Sequence, residues 1–411
     1  MGLELPPTAG MPLLASDLLG ALVRGEKESF ELILAKYLQL PEIDVYSSGT
    51  LCLSLAFDTV KKLSGRSRVI VPAYTCPLLA IAAHAAGVQL VLCDTAASSC
   101  EFDIRMLERI CDDSIAAIVP TDLAGLPVDL GPVREIAKRS GTYIIEDAAQ
   151  ALGAKRDSKP LGSDADFVVY SLAYGKGLSL FDGGIISVRD ECIRAELRKQ
   201  AQKRIKKNVL LNIERIIELV GLTFFYNPTA MNWFYGKDLR RYLDRGDLVR
   251  AVGEHFDFDI PSYVFDSFRK RVGVNAFSRL PEFVQSNRSR ALKRIEVLKE
   301  LPGLKVLQET QGCEGSWPFL MLLADSESQR DAIMNQLWRS GLGVTRLFIH
   351  QLSDYDYLRR IVPQESMPNA KDFAARSFSI GNSHWLDEQK FEQIVSVLEK
   401  TTQPSSMVSC L

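Results

Sequence analysis

From residue 67 onward, short apolar runs alternate with stretches of helical periodicity. Arg68-Val69-Ile70-Val71-Pro72 predicts a strand, and Leu78 to Ala86 the helix after it. Val88 to Cys93 predicts a second strand, followed by a helix over Ile104 to Ile110. A strand from Ser114 to Val119, a helix over Pro132 to Arg139 and a strand from Tyr143 to Glu146 continue the series. Strands this short, separated by helices, spell βαβ units and a mostly parallel sheet. Ligands of such sheets gather beyond the carboxyl ends of the strands, which is where Pro72, Asp122 and Asp147 fall.

The rhythm breaks between 193 and 250. The first part is basic, with Arg194, Arg198, Lys199, Lys203, Arg204, Lys206 and Lys207 against one acid, Glu196. Leu210, Ile213, Ile217 and Val220 then recur at helical spacing. A basic amphipathic helix of this kind can lie on a membrane surface. The preferred reading is a helix that covers its own core and turns a charged face to water, because no second anchoring signal accompanies it.

Beyond this segment the pattern predicts a long helix over Pro281 to Leu301, closed by Pro302-Gly303. Strands follow near Leu304-Val306 and Pro318-Leu323, with helices near Gln329-Ser340 and Asp387-Glu399. The expected organisation is a large domain over 1–270, a smaller α+β domain over 271–402 and a flexible tail over 403–411.

Composition narrows the class. A chain of 411 residues suits two packed domains. Lys plus Arg is 49 and Asp plus Glu is 51, a net charge of −2, so nothing global points to nucleic acid or to an acidic membrane. The eight cysteines contain no CxxC pair and there are only four histidines, which suggests neither a zinc site nor a disulfide framework. The opening residues lack the basic end and apolar run of a signal peptide. No apolar stretch reaches membrane-spanning length. The expectation is a cytoplasmic protein with reduced thiols and no metal.

The candidate chemistry lies in two short stretches. Tyr143-Ile144-Ile145 runs into Glu146-Asp147-Ala148-Ala149-Gln150, and Ser171-Leu172-Ala173-Tyr174-Gly175-Lys176 is closed by Asp182-Gly183-Gly184. A lysine in a Gly-flanked loop and an aspartate at a strand end are what pyridoxal phosphate (PLP) chemistry needs. The amine forms a Schiff base, and the carboxylate faces the pyridinium nitrogen so that the ring can take up electrons. Ser47-Ser48-Gly49-Thr50 precedes a helical run from Leu51 to Leu63, and hydroxyls at a helix start suit a phosphate. Ser171 could add another hydroxyl to the same phosphate. Taken singly, each has an ordinary reading: Lys176 as a surface loop residue, Asp147 or Ser48 as a helix cap, Ser171 as a strand end. A nucleotide P-loop is excluded, since Tyr170 and Gly177 stand where that motif needs Gly and Ser or Thr.

Taken together in this order, the pieces resemble the DegT/StrS family of sugar aminotransferases, a branch of the aspartate-aminotransferase-like PLP enzymes. The resemblance runs over about 40–190 and 335–400. It rests on Ser47-Ser48-Gly49-Thr50, Val69 to Thr75, Ile145 to Ala154, Gly175-Lys176 through Gly183-Gly184, and Pro368-Asn369-Ala370 with Ala374-Ala375-Arg376. It implies a type I PLP-dependent transferase fold of α/β class and a homodimer. It also implies transfer of an amino group, typically from glutamate, to a nucleotide-linked keto sugar for polysaccharide or glycan synthesis.

By the same resemblance Lys176 is the Schiff-base lysine, Asp147 the pyridinium partner and Gln150 the amide near the phenolic oxygen. Gly49, Thr50 and Ser171 are then phosphate contacts. Two rivals stay open: a PLP-dependent sugar dehydratase, which typically holds His at the position of Lys176, and a non-catalytic regulatory protein on the same fold. The chain also departs from the family pattern. Cys76 stands where many members stack an aromatic on the pyridine ring, and Asp122-Leu123-Ala124-Gly125 replaces His-Leu-Tyr-Gly. Asn275 is the candidate for the asparagine that the partner subunit offers to the phosphate.

Overall fold

The computed structural model describes residues 2–22 and 28–402; the expected tail over 403–411 lies outside the described residues. Seven strands form the main sheet: β1 (Asp44–Tyr46), β2 (Arg68–Pro72), β3 (Gln89–Cys93), β4 (Ile115–Ile118), β5 (Tyr143–Asp147), β6 (Phe167–Ser171) and β7 (Gly184–Val188). Their order in space is β1-β7-β6-β5-β4-β2-β3. β3, β2, β4, β5 and β6 run parallel, and β7 returns antiparallel to both β6 and β1. All residues of β4, β6 and β7 are buried, which is why these strands read as unbroken apolar runs. The expected elements from 68 to 147 are all present, with bounds moved by a residue.

A second, antiparallel sheet carries the smaller α+β part, with Leu304–Val306, Phe319–Ala324, Ser377–Gly381 and Val344–Thr345 in that order. Helices Leu280–Leu298, Glu327–Leu337 and Glu388–Thr402 belong to it in sequence, as expected. The chain's first residues reach this sheet: the Leu5 amide donates to the Gly341 carbonyl (2.8 Å) and the Ala9 amide to Pro318 (2.7 Å). Nothing in Leu5-Pro6-Pro7-Thr8-Ala9 forecasts that crossing. The helix Ser267–Phe277 packs back onto Ala15–Leu22; Val272 and Ala276 share one apolar cluster with Leu18, Ala21 and Phe30.

The expectation for 193–250 is corrected. The segment is a chain of helices: Glu191–Arg204, Val209–Phe225, Pro228–Met231, a wide turn over Asn232–Gly236, Lys237–Asp244 and Leu248–Ala251. The periodicity at 210, 213 and 217 is real, but Leu210, Ile213 and Ile217 face outward and only Leu219 of that helix is buried. A 3.6-residue period fixes that a stripe exists; what covers it is decided by tertiary packing.

One buried acid connects the fold to a stability test. Glu254 is buried, and its Oε2 accepts from Tyr355 Oη (2.6 Å) and the Ile349 amide (3.0 Å), while Oε1 has no partner among the described residues. Burial pushes its carboxyl up to about 8. The folded value lies above the unfolded one, so ionised Glu254 costs stability increasingly as pH rises from 4.5 to 8. Glu254→Gln is expected to raise the melting temperature at pH 9 and to lose that advantage near pH 4. A tenfold change in proton affinity corresponds to about 1.4 kcal/mol, so the gain at high pH should be readily measurable. Parallel melting curves for the two proteins across that range would refute this.

Candidate active site

The carboxyl edge of the parallel strands holds the site. Asp147 ends β5, Ser171 ends β6, Thr121 and Asp122 follow β4, and Cys76 follows β2 as the residue before the helix Pro77–Ala85. Lys176 lies in the loop after β6 and Gln150 in the turn after β5. The start of the helix Gly49–Ser64 comes up beside β6 and β7, with Gly49 next to Ser171. A Cβ at residue 184 would collide with the backbone of Ser48 and Gly49, so glycine there lets the helix start seat itself against β7. Its neighbour Gly183 has φ +118°, a conformation open to glycine and costly for other residues.

One cavity of about 200 Å³ is lined by Gly49, Thr50, Cys76, Asp147, Gln150, Ser171 and Lys176, together with Thr121, Asp122 and Asp182. All seven site residues expected from sequence therefore meet in one place. Asn275 does not: its side chain donates to the Asp17 carbonyl (2.9 Å), against the N-terminal helix of the same chain. Within a single chain it takes no part in the cavity.

Each wall has a local cause. Ser48 caps the helix, its Oγ accepting from the Leu51 amide (3.0 Å). The Gly49 and Thr50 amides precede the first intrahelical bond and remain for a ligand, at the positive end of the helix dipole. The cap and the uncommitted amides thus come from adjacent residues, Ser48 for the first and Gly49 and Thr50 for the second. Gln150 accepts from the Ala124 amide at Oε1 (2.9 Å), which fixes its side chain and leaves its NH2 as donor. Ala124 adopts φ +58°, so the departure at 122–125 is built around this bond.

Electrostatics separate the two principal groups. Asp147 Oδ1 accepts from the Ala149 amide (3.1 Å), and burial pushes the carboxyl up to about 6. Burial lowers the Lys176 amine below its ordinary value, opposed by the neighbouring Asp147 carboxyl. A lysine so placed holds a larger neutral, nucleophilic fraction than a surface lysine does. Behind them, Arg156 pairs with Glu146 (2.6 Å) and Asp122 (3.6 Å) in the interior, pinning the end of β5 to the turn after β4. Burial and Glu146 hold Asp122 well above the carboxylate range.

Sequence reasoning missed the network around Asp182. Its carboxylate takes Arg269 and the Tyr263 hydroxyl, with Arg215 at 3.3 Å. Arg269 is fully buried, also bound to Asp266 and to Asn212 Oδ1 (3.2 Å), and its guanidinium lies 4.1 Å from the centre of the Phe265 ring. No local motif joins residues this far apart; the only sequence signal is Asp182 ahead of the glycine pair.

The donor set fits PLP. An amine, a buried carboxyl, a fixed amide and a hydroxyl-bearing helix start enclose a space smaller than the roughly 300–1,000 Å³ of pockets for drug-sized ligands. It is sized for a compact cofactor. No group of His, Cys, Asp and Glu suited to a metal occurs among the described residues.

Comparison with known proteins agrees with this geometry. The family model described as DegT/DnrJ/EryC1/StrS aminotransferase matches residues 19–212 and 263–399. GDP-perosamine synthase of Caulobacter vibrioides is 31% identical over 169 residues, 41% of this chain and 45% of that protein. A dTDP-3-amino-3,4,6-trideoxy-alpha-D-glucose transaminase of Streptomyces venezuelae is 32% identical over 43% of this chain and 47% of its own length. The chain thus spans about half the length of these relatives. The PLP form of a putative sugar aminotransferase, Spr1654 from Streptococcus pneumoniae, superimposes with a TM-score of 0.74 at 16% identity, covering 97% of this chain and 98% of its own. At that identity the likeness speaks for the fold. The family match, covering both the sheet that bears the site and the smaller domain, places this chain in the DegT/DnrJ/EryC1/StrS aminotransferase family.

Proposed function

We propose that the protein is a PLP-dependent aminotransferase that moves an amino group from an amino acid, glutamate in the first instance, to a nucleotide-linked keto sugar. The observation that carries this is the meeting of Lys176, Asp147 and the Gly49-Thr50 helix start in one cavity. PLP, when bound, supplies an electron sink for the carbanion formed at the substrate carbon. The chain's own residues do the rest. Gly49, Thr50 and Ser171 would hold the phosphate, Asp147 would keep the ring nitrogen protonated, and Gln150 would donate its amide to the ring oxygen. The Lys176 amine carries the proton at the reacting carbon, returning it in the second half of the cycle.

The relatives' names support the acceptor class, since GDP- and dTDP-linked amino sugars are named in them. Lys176 speaks against the dehydratase alternative. We further take the active unit to be a homodimer and its place to be the cytoplasm; no helix among the described residues is long and apolar enough to cross a membrane. The test is incubation with PLP, glutamate and a panel of nucleotide-linked keto sugars, with mass readout. Amino-sugar formation supports the reading, and its absence with every acceptor and donor overturns it.

Cys76 offers a finer test. It lines the cavity with Lys176 and Asp147, and its small thiol gives the cofactor ring little stacking surface. Cys76→Phe is expected to retain or tighten PLP, by about 2- to 10-fold from a stacking contribution of roughly 0.5–1.5 kcal/mol. The same change is expected to lower kcat/KM for the native acceptor. Unchanged substrate kinetics in this variant would assign Cys76 to packing alone.

A further inference from the structure

The helix Val209–Phe225 is amphipathic with its faces reversed. Its polar side is turned inward: Arg215 reaches Asp182 (3.3 Å) and Glu218 (2.5 Å), while Asn212 donates to the Val264 carbonyl (3.0 Å) and accepts from Arg269. Its apolar side is turned outward. Val209, Leu210, Ile213, Ile217 and Phe224 are 50–81% exposed, and positions 209, 213, 217 and 224 lie along one face at helical spacing. At 17 residues the stripe is about 25 Å long. Past the helix end, Phe225, Trp233 and Phe234 are 53–66% exposed, and the Phe225 and Phe234 rings lie 5.6 Å apart. An apolar surface this continuous marks an interaction site.

Charge says what kind. Lys203, Lys206 and Lys207 are exposed at the helix start, and Lys237 at the far end; none has an acid partner among the described residues. Lys206 and Lys207 stand just before the N-cap Asn208, where positive charge opposes the helix dipole. They weaken the helix they adjoin, so their use lies outside it. A two-fold pairing of this face with a second copy would oppose cations to cations, with Glu214 the sole exposed acid of the stripe. The segment 213–262 also falls between the two stretches matched by the family.

We propose that this face docks the protein on an anionic lipid surface. The apolar stripe enters the boundary between headgroups and acyl chains, Trp233 and Phe234 sit at headgroup level, and the unpaired lysines meet lipid phosphates. The contact is peripheral and does not span the bilayer. It is independent of the assigned reaction.

The test is flotation of the full-length protein with phosphatidylcholine vesicles made with and without phosphatidylglycerol. Wild type is expected to float with the anionic vesicles and to do so less at high salt. Leu210→Asp/Ile217→Asp and Lys206→Glu/Lys207→Glu should each lose roughly tenfold or more in vesicle affinity. These positions are exposed, so both variants should keep the wild-type circular dichroism and the wild-type mass by light scattering. Failure of wild type to float with anionic vesicles overturns the proposal, as does undiminished flotation of the Leu210/Ile217 variant. A variant that changes oligomeric mass, with no vesicle binding by wild type, would reassign the face to contact between copies.

Discussion

Lys176→Ala is expected to lower kcat by about 10,000-fold or more, the upper range for a positioned proton-transfer group, while PLP still binds weakly. In the proposed mechanism Lys176 supplies two functions at once, the covalent tether to the cofactor and the proton carrier at the reacting carbon. The proposed phosphate contacts, Gly49, Thr50 and Ser171, belong to other elements and should survive the change. Loss of turnover and partial retention of cofactor should therefore separate cleanly. Borohydride treatment of the wild-type holoenzyme is expected to fix the label on the peptide bearing Lys176. A label found on any other lysine would remove the assignment. Because burial lowers the amine's pKa, its neutral form should be present at lower pH than for a surface lysine.

Asp147→Asn is expected to cut transamination by roughly 100- to 1,000-fold, the usual cost of removing one preorganised electrostatic group. A neutral amide cannot hold the ring nitrogen protonated. The fold should persist: Asn can still accept from the Ala149 amide, and the Asp147 side chain makes no ion pair among the described residues. The sign of the stability effect follows from the buried carboxyl at about 6, above its unfolded value of 3.8. Ionised Asp147 costs the apo protein stability progressively from pH 3.8 to 6, and fully above that. Apo Asp147→Asn should then melt no lower than wild type at pH 8. A near-wild-type rate would reduce Asp147 to a turn-forming residue, and a large drop in melting temperature would make its role structural.

The parts of the molecule legible in the sequence are those whose cause is local. Parallel strands announce themselves as apolar runs because both faces are covered, so β2 to β5 could be placed to within a residue. Lys176, Asp147, Gln150 and Ser171 sit in two short stretches at strand ends, so their order along the chain reflects their order around the cavity. What stayed hidden depends on distant contacts. Arg269 reaches Asp182 across 87 positions. The N-terminal residues cross to the small sheet through backbone bonds, which no side-chain pattern encodes. The outward direction of Leu210, Ile213 and Ile217 goes with the contacts of the opposite face, where Arg215 meets Asp182 and Asn212 meets Arg269, so periodicity alone pointed the stripe the wrong way.

Asp182 also sets a constraint on any exchange of parts between relatives. It lines the cavity, and its arginine partners come from the helix Val209–Phe225 and from the helix Ser267–Phe277. Replacing 213–262 by another connection would remove Arg215 and leave Asp182 with Arg269 and the Tyr263 hydroxyl. A working chimera would have to keep a cation at the place of Arg215 to preserve this link between the helix Val209–Phe225 and the cavity wall.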